Sequence, residues 1–152
     1  MSRKARYALR ALYALAADEA RGPVLISDLA EREKIPRKFL EAILLELKNA
    51  GILKSKKGKG GGYSLARAPQ QVTMGQVIRI IDGPLAPIPC ASERAFVKCE
   101  ECVDEATCGT RQVMKKVRDA VAAILDGTTL ADVQAQIARA RLSTGTPVIY
   151  SI

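Results

Sequence analysis

The chain has no histidine and no tryptophan among its 152 residues, and aromatic side chains make up only 4% of it. Without imidazole it lacks the side chain that most often serves as general base and as nitrogen ligand to a metal. Most hydrolytic and nucleophilic mechanisms are excluded with it, and no enzymatic activity is expected. So few rings leave little surface for stacking the bases of single strands, so among nucleic acids the composition favours a duplex, and RNA is the harder alternative to exclude. No apolar run reaches membrane-spanning length, and the first twenty residues are interrupted by Arg10, Asp18 and Glu19 where a signal peptide would be apolar. A cytoplasmic protein is expected. With 48% hydrophobic residues and a mean hydropathy of +0.02, the length suits one compact domain plus an accessory element.

What the chain has in excess is positive charge, and it is unevenly placed. Residues 1–70 hold 15 Lys and Arg against 7 Asp and Glu, whereas residues 71–152 hold 9 of each, so the whole net charge of +8 sits in the first half. A polyanion partner is implied, bound in a salt-dependent way through counterion release. Anionic membrane is the rival polyanion, but no exposed aromatic face accompanies the basic residues, which places it below nucleic acid.

The stretch that gives this charge a shape is IPRKFLEAILLELKNAGILKSKKGKGGGYSLAR, residues 35–67. Pro36 suits the first turn of a helix and Gly51 its left-handed stop. Between them Phe39, Leu40, Ile43, Leu44 and Leu47 recur at helical spacing and are expected to be buried, with Arg37, Lys38, Glu41, Ala42 and Lys48 on the opposite face. Residues 52–56 and 63–65 read as two strands joined by KKGKGGG, a turn with three lysines and no acid. A basic-edged helix followed by a basic hairpin is what a winged helix-turn-helix requires, since the helix fits the major groove and lysines must sit near phosphates. A solvated surface helix and an ordinary turn would show the same pattern. A nucleotide-binding loop would need wider glycine spacing and Gly-Lys-Ser/Thr, which GKGKGGGYS does not supply.

The remaining elements follow in order. Residues 3–20 form a first helix with Arg3, Lys4, Arg6 and Arg10 at its start. Ser27 or Asp28 is expected to cap a second helix running to about Lys34, and Ile35-Pro36 is the turn of the helix-turn-helix. Thr73 can cap a short helix over 74–82, and Pro84, Pro87 and Pro89 then forbid helix and give an extended connector. Residues 90–108 are a loop by composition. A long helix over 110–125 carries Val113, Val117, Val121, Ile124 and Leu125 as its apolar stripe, to pack against a second copy or against the first helix. Thr128 or Thr129 caps a last helix to about Arg141, and a tail closes the chain. The expected organisation is therefore mainly α with a small β-hairpin wing: a winged helix-turn-helix domain over 1–70, a helix and Pro-rich connector over 71–89, a cysteine loop over 90–109, a dimerisation helix and C-terminal helix over 110–141, and a tail over 142–152.

All four cysteines, Cys90, Cys99, Cys102 and Cys108, fall in the loop. In a cytoplasmic protein such a cluster is more often a ligand set or a redox pair than a structural disulfide. Soft sulfur selects iron-sulfur clusters or zinc, and a reversible disulfide is a third use. A thiol oxidoreductase is disfavoured, because Cys99-x-x-Cys102 lies in an acidic loop with no strand-to-helix pattern, and its acids would raise the thiol pKa.

Over nearly its whole length the chain resembles the IscR/NsrR-type bacterial regulators of the Rrf-two family. The resemblance is carried by KARYALRALYALA, by the helix and wing at 35–67, by MGQVIRIIDGPLAP, and by cysteines placed before a long helix. It implies a homodimeric winged-helix DNA-binding protein, most often a repressor, that reads a palindromic site in double-stranded DNA, with the long helix forming the dimer. It further implies an iron-sulfur cluster, two-iron or four-iron, held by Cys90, Cys102 and Cys108 with a varying fourth ligand, for which Cys99, Glu101, Asp104 or a residue of the partner's first helix are candidates. Arg111 stands where some relatives place a histidine ligand, and cannot ligate. Zinc, or no cofactor, is the alternative. DNA contacts are expected from Arg3, Arg6, Ser27, Arg37, Lys38, Glu41, Lys48, Lys57, Lys59, Gly60, Gly61 and Tyr63, with Glu41 in a position to accept from a cytosine amino group.

Overall fold

The computed structural model describes residues 1–143; of the tail expected over 142–152, Leu142 and Ser143 instead end the last helix, and 144–152 lie outside the described residues. Six α-helices and one two-stranded antiparallel sheet make up the described fold: α1 (Arg3–Ala17), α2 (Ile26–Glu33), α3 (Arg37–Asn49), β1 (Leu53–Lys56), β2 (Gly62–Leu65), α4 (Met74–Asp82), α5 (Gly109–Asp126) and α6 (Leu130–Ser143). The mainly helical class with a small hairpin wing is as the sequence predicts.

The core gathers the apolar faces of the first half. Leu12 of α1, Leu29 of α2, Leu40, Ile43, Leu44 and Leu47 of α3, Ile52, Val72 and Val77 are all fully buried, and Leu130, the first residue of α6, joins them from the far end of the chain. At about 25 cal/mol per Å² of apolar surface removed from water, this cluster is the main driving force for the fold. Phe39 departs from expectation: it is 40% exposed and meets Tyr7 edge-on, ring centroids 5.7 Å apart, at the rim of the core.

Helix ends follow local chemistry in some places and tertiary contacts in others. Ser2 caps α1 by accepting from the Ala5 N–H at 3.0 Å, and Thr73 opens α4 with a full capping box in which Gln76 answers the Thr73 N–H. Neither Ser27 nor Asp28 caps α2. That helix begins one residue before Ser27, after Leu25, whose side chain gives no cap, because the preceding Val24 is bridged to Tyr63 of the wing and delivers the chain in extended form. Its C-terminal stop is Lys34 in the left-handed region at φ 51°, with Pro36 following as the N-cap of α3. A 3-10 turn at Pro89–Ala91 interrupts the connector that the prolines suggested would be wholly extended, since proline is tolerated at the first position of a helical turn.

The last two helices are tied to α4 at one point. Thr73 and Thr129 form an isolated bridge, Met74 N–H donates to the Thr128 carbonyl at 2.9 Å, and Leu130 N–H donates to Val72 at 2.9 Å. Nearby, Asp126 at the end of α5 receives both arms of the Arg79 guanidinium, one of them at 2.8 Å.

Candidate nucleic-acid interface and cysteine loop

Burial of its apolar stripe leaves α3 with Arg37, Lys38, Glu41, Ala42 and Lys48 exposed. Arg37 and Glu41 are already paired one turn apart, Nε to Oε1 at 3.1 Å. An exposed pair of this kind contributes little stability, so either partner can be redirected to a ligand at small cost. Lys4 is held by Glu46, and Arg10 by the carbonyl and carboxylate of Glu33, so two of the four basic residues at the start of α1 act inside the fold. Arg3 and Arg6 remain exposed on the first turns of α1.

The wing projects from α3 through Gly51. Its strands pair Leu53 with Leu65 and Lys56 with Gly62, and Lys57, Lys59 and Gly60 lie exposed in the turn. Gly61 is buried, and a Cβ there would stand 2.3 Å from the Lys56 carbonyl oxygen, so this glycine shapes the turn instead of offering surface. Tyr63 is half-buried and exchanges backbone hydrogen bonds with Val24 at 2.9 and 2.8 Å, which fastens the wing to the segment leading into α2. Ser27 is exposed, its hydroxyl donating to Asp28 at 3.0 Å.

At the other end of the molecule the four cysteines line one cavity of about 470 Å³, together with Ile88, Val103 and Thr107. All four are free thiols; Cys99 is exposed and the others half-buried. Among the described residues, no three Cys, Asp or Glu side chains are gathered at metal-holding distance. The donor set nonetheless suits soft-metal chemistry: four sulfurs reach one hollow and no disulfide occupies them. Burial, with Cys108 and Glu105 as negative neighbours, pushes the Cys102 thiol up from its ordinary value. Cys108 ends the loop and is also the N-cap of α5, its Sγ accepting from the Arg111 N–H at 3.5 Å.

Two arginines of α5 grip the loop. Arg111 Nε donates to the Cys90 carbonyl at 2.9 Å, while Arg118 Nη1 donates to the Ala91 carbonyl at 2.6 Å and Nη2 pairs with Glu93 at 3.1 Å. Sequence reasoning passed over Arg118 and saw in Arg111 only a residue unable to ligate; a loop without periodicity gives no signal of which carbonyls it will present. The opposite face of α5 shows Val113, Val117 and Ile124 at 54%, 40% and 67% exposure, and no residue of the helix is buried.

Residues 1–136 match the family described as Rrf2, iron-dependent transcriptional regulator. The chain belongs to the Rrf2 family. An Rrf2-like helix-turn-helix regulator of Rhodobacter capsulatus is 43% identical over 139 residues, covering 89% of this chain and 92% of that relative. Among solved structures, CymR, the global cysteine regulator of B. subtilis, superposes with a TM-score of 0.74 at 33% identity, covering 90% of this chain and 96% of CymR. T. potens IscR superposes at 0.72 with 30% identity, covering 90% and 87%. This Rrf2 protein is thus a transcriptional regulator and not an enzyme.

Proposed function

We propose that the protein is a homodimeric, sequence-specific DNA-binding repressor of the cytoplasm that reads a palindromic operator and is switched by its cysteine loop. The observation that carries this reading is the division of charge and burial in the first half. Leu40, Ile43, Leu44 and Leu47 of α3 are consumed by the core, while Arg37, Lys38 and Lys48 on its other face and Lys57 and Lys59 of the wing stand in solvent without internal ion pairs other than Arg37 to Glu41 among the described residues. In a winged helix-turn-helix, α3 would enter the major groove and present Glu41 to base edges, while the wing lysines, Arg3 and Arg6 would meet phosphates.

Dimerisation through α5 is supported by its unpartnered stripe of Val113, Val117 and Ile124, since an apolar helix face left in water favours association. A dimer fixes the spacing of two recognition helices, so a small displacement of α5 would change operator affinity.

For the switch, an iron-sulfur cluster held by Cys90, Cys102 and Cys108, with Cys99 as candidate fourth ligand, is favoured by the family and by thiols that share one cavity. Such a cluster would supply sensitivity to iron and oxidants. The protein's own part is to hold the sulfurs beside α5 and to pass a change in the loop to that helix through Cys108, its cap. A second reading, a thiol-disulfide switch, zinc or a small metabolite, is supported by four free thiols on one cavity and by the near-equal likeness to CymR, a cysteine regulator.

Purification without oxygen, with the visible spectrum and iron, sulfide and zinc measured per chain, separates the two. A brown protein with matched iron and sulfide supports the cluster. A colourless protein that stays free of iron after reconstitution overturns it and leaves zinc or a thiol switch.

A further inference from the structure

Of the two arginines that grip the cysteine loop, one ties its separate parts together. Arg111 reaches three parts of it at once: its backbone N–H donates to Cys108 Sγ at 3.5 Å, Nε to the Cys90 carbonyl at 2.9 Å and Nη1 to the Glu105 carbonyl at 3.4 Å. Its guanidinium also stands over the Phe96 ring, 5.6 Å from the centroid. The carbonyl of the first cysteine, the Glu105 carbonyl three residues before the last cysteine and Phe96 in the middle of the loop therefore meet at a single side chain in the first turn of α5, whose backbone N–H also caps on Cys108. Only a guanidinium offers donors in a fixed fork that can serve two carbonyls while its face stacks on a ring; an ammonium keeps the charge but not the plane. Arg118, farther along α5, directs its hydrogen bonds and ion pairs to Ala91, Glu93 and Asp119.

We propose that Arg111 is the positioning residue of the cysteine site: it closes the two ends of the loop on the start of α5 and keeps the four sulfurs on one cavity. The closure follows from the contacts alone; its regulatory meaning rests on the reading of the loop as sensor.

The test uses the full-length, reduced, chelator-treated protein as wild type, Arg111→Ala, Arg111→Lys and Arg118→Ala. Iodoacetamide labelling of each cysteine is followed by peptide mass spectrometry, with thermal melting as a check on folding. Arg111→Ala is expected to speed labelling of Cys90 and Cys108 about tenfold by raising the open population of the loop, with Cys99, already exposed, changing less than about twofold. Arg111→Lys is expected to remain fast, and Arg118→Ala to leave Cys108 at the wild-type rate. Equal rates in wild type and Arg111→Ala overturn the proposal, as does full restoration by lysine. Should Arg111→Ala not fold, hydrogen exchange of amides 104–112 in Arg111→Lys decides: faster exchange than wild type is expected, and unchanged exchange sinks the closure. The sensor reading fails separately. If a variant with Cys90, Cys102 and Cys108 all replaced by serine binds the operator as the wild type does under every iron and redox condition, while the labelling difference between wild type and Arg111→Ala persists, Arg111 closes a loop that senses nothing.

Discussion

Helix α3 is 13 residues long and buries four of them, Leu40, Ile43, Leu44 and Leu47, whereas the 18 residues of α5 bury none. Both have an apolar stripe at helical spacing. The difference lies in what the rest of the chain supplies: α1, α2, the wing and α4 all lay apolar faces against α3, while α5 lends Leu125 to the edge of that core and is otherwise tied through Arg111 and Arg118 at the loop and Asp126 at Arg79. Periodicity tells which face of a helix is apolar, and only the remainder of the sequence tells whether that face is already covered. One helix is held by the hydrophobic effect within its own chain, and the other is left with a face that a second chain can complete.

The contrast can be broken most forcefully in the core. Leu44→Ala should cost about 3 kcal/mol by lost transfer energy and cavity formation, read as a lower denaturant midpoint. Replacing Val113, Val117 and Ile124 together by serine should instead leave the unfolding of the dilute monomer nearly unchanged and weaken the dimer at least about 100-fold, measured by sedimentation across concentration. If the triple variant stayed dimeric, the assignment of α5 would be lost.

The wing offers a smaller lever. Gly62 sits at φ 137° and a Cβ there would lie 2.3 Å from the Val24 carbonyl oxygen, so Gly62→Ala should cost about 1–3 kcal/mol and loosen the wing, seen as faster exchange of the Val24 and Tyr63 amides. Removing a phosphate contact is milder still: Lys57→Ala should weaken operator and non-operator DNA alike and lower the salt slope of binding by about 1, with sequence preference intact.

The smallest effect concerns pH and the tie between α4 and α5. The hydrogen bond from Arg79 holds the Asp126 carboxyl below the usual carboxylate range. A depressed carboxylate contributes stability that is complete above its unfolded value near 4 and is lost as pH falls through the folded value. Wild-type melting temperature should therefore fall in acid slightly more steeply than that of Asp126→Asn.

Much of this was legible in the sequence where the decisive neighbour is close by. Thr73 and Gln76 form their capping box three residues apart, and the stripe of α3 from Leu40 to Leu47 needed only the helical repeat. What escaped depends on distant partners. The start of α2 is governed by Val24 pairing with Tyr63, so the local cap signal at Ser27 and Asp28 points two or three residues too late. Lys34 takes a left-handed conformation that sequence rules reserve for glycine, and Phe39 sits at the core rim because Tyr7 meets its ring there. At the cysteines, the ligand-type residues were plain to read, but the arginines that close the loop were not, because backbone carbonyls in an aperiodic segment leave no trace in side-chain identity.

The bridge between Val24 and Tyr63 has a consequence for anyone who would move this wing onto another regulator. Because the hairpin is stitched to the strand-like residue that launches α2, the heritable module is discontinuous: residues 52–65 without their anchor near residue 24 would arrive as an unmoored flap, and a recombination boundary drawn between the two would separate a tooth from its socket.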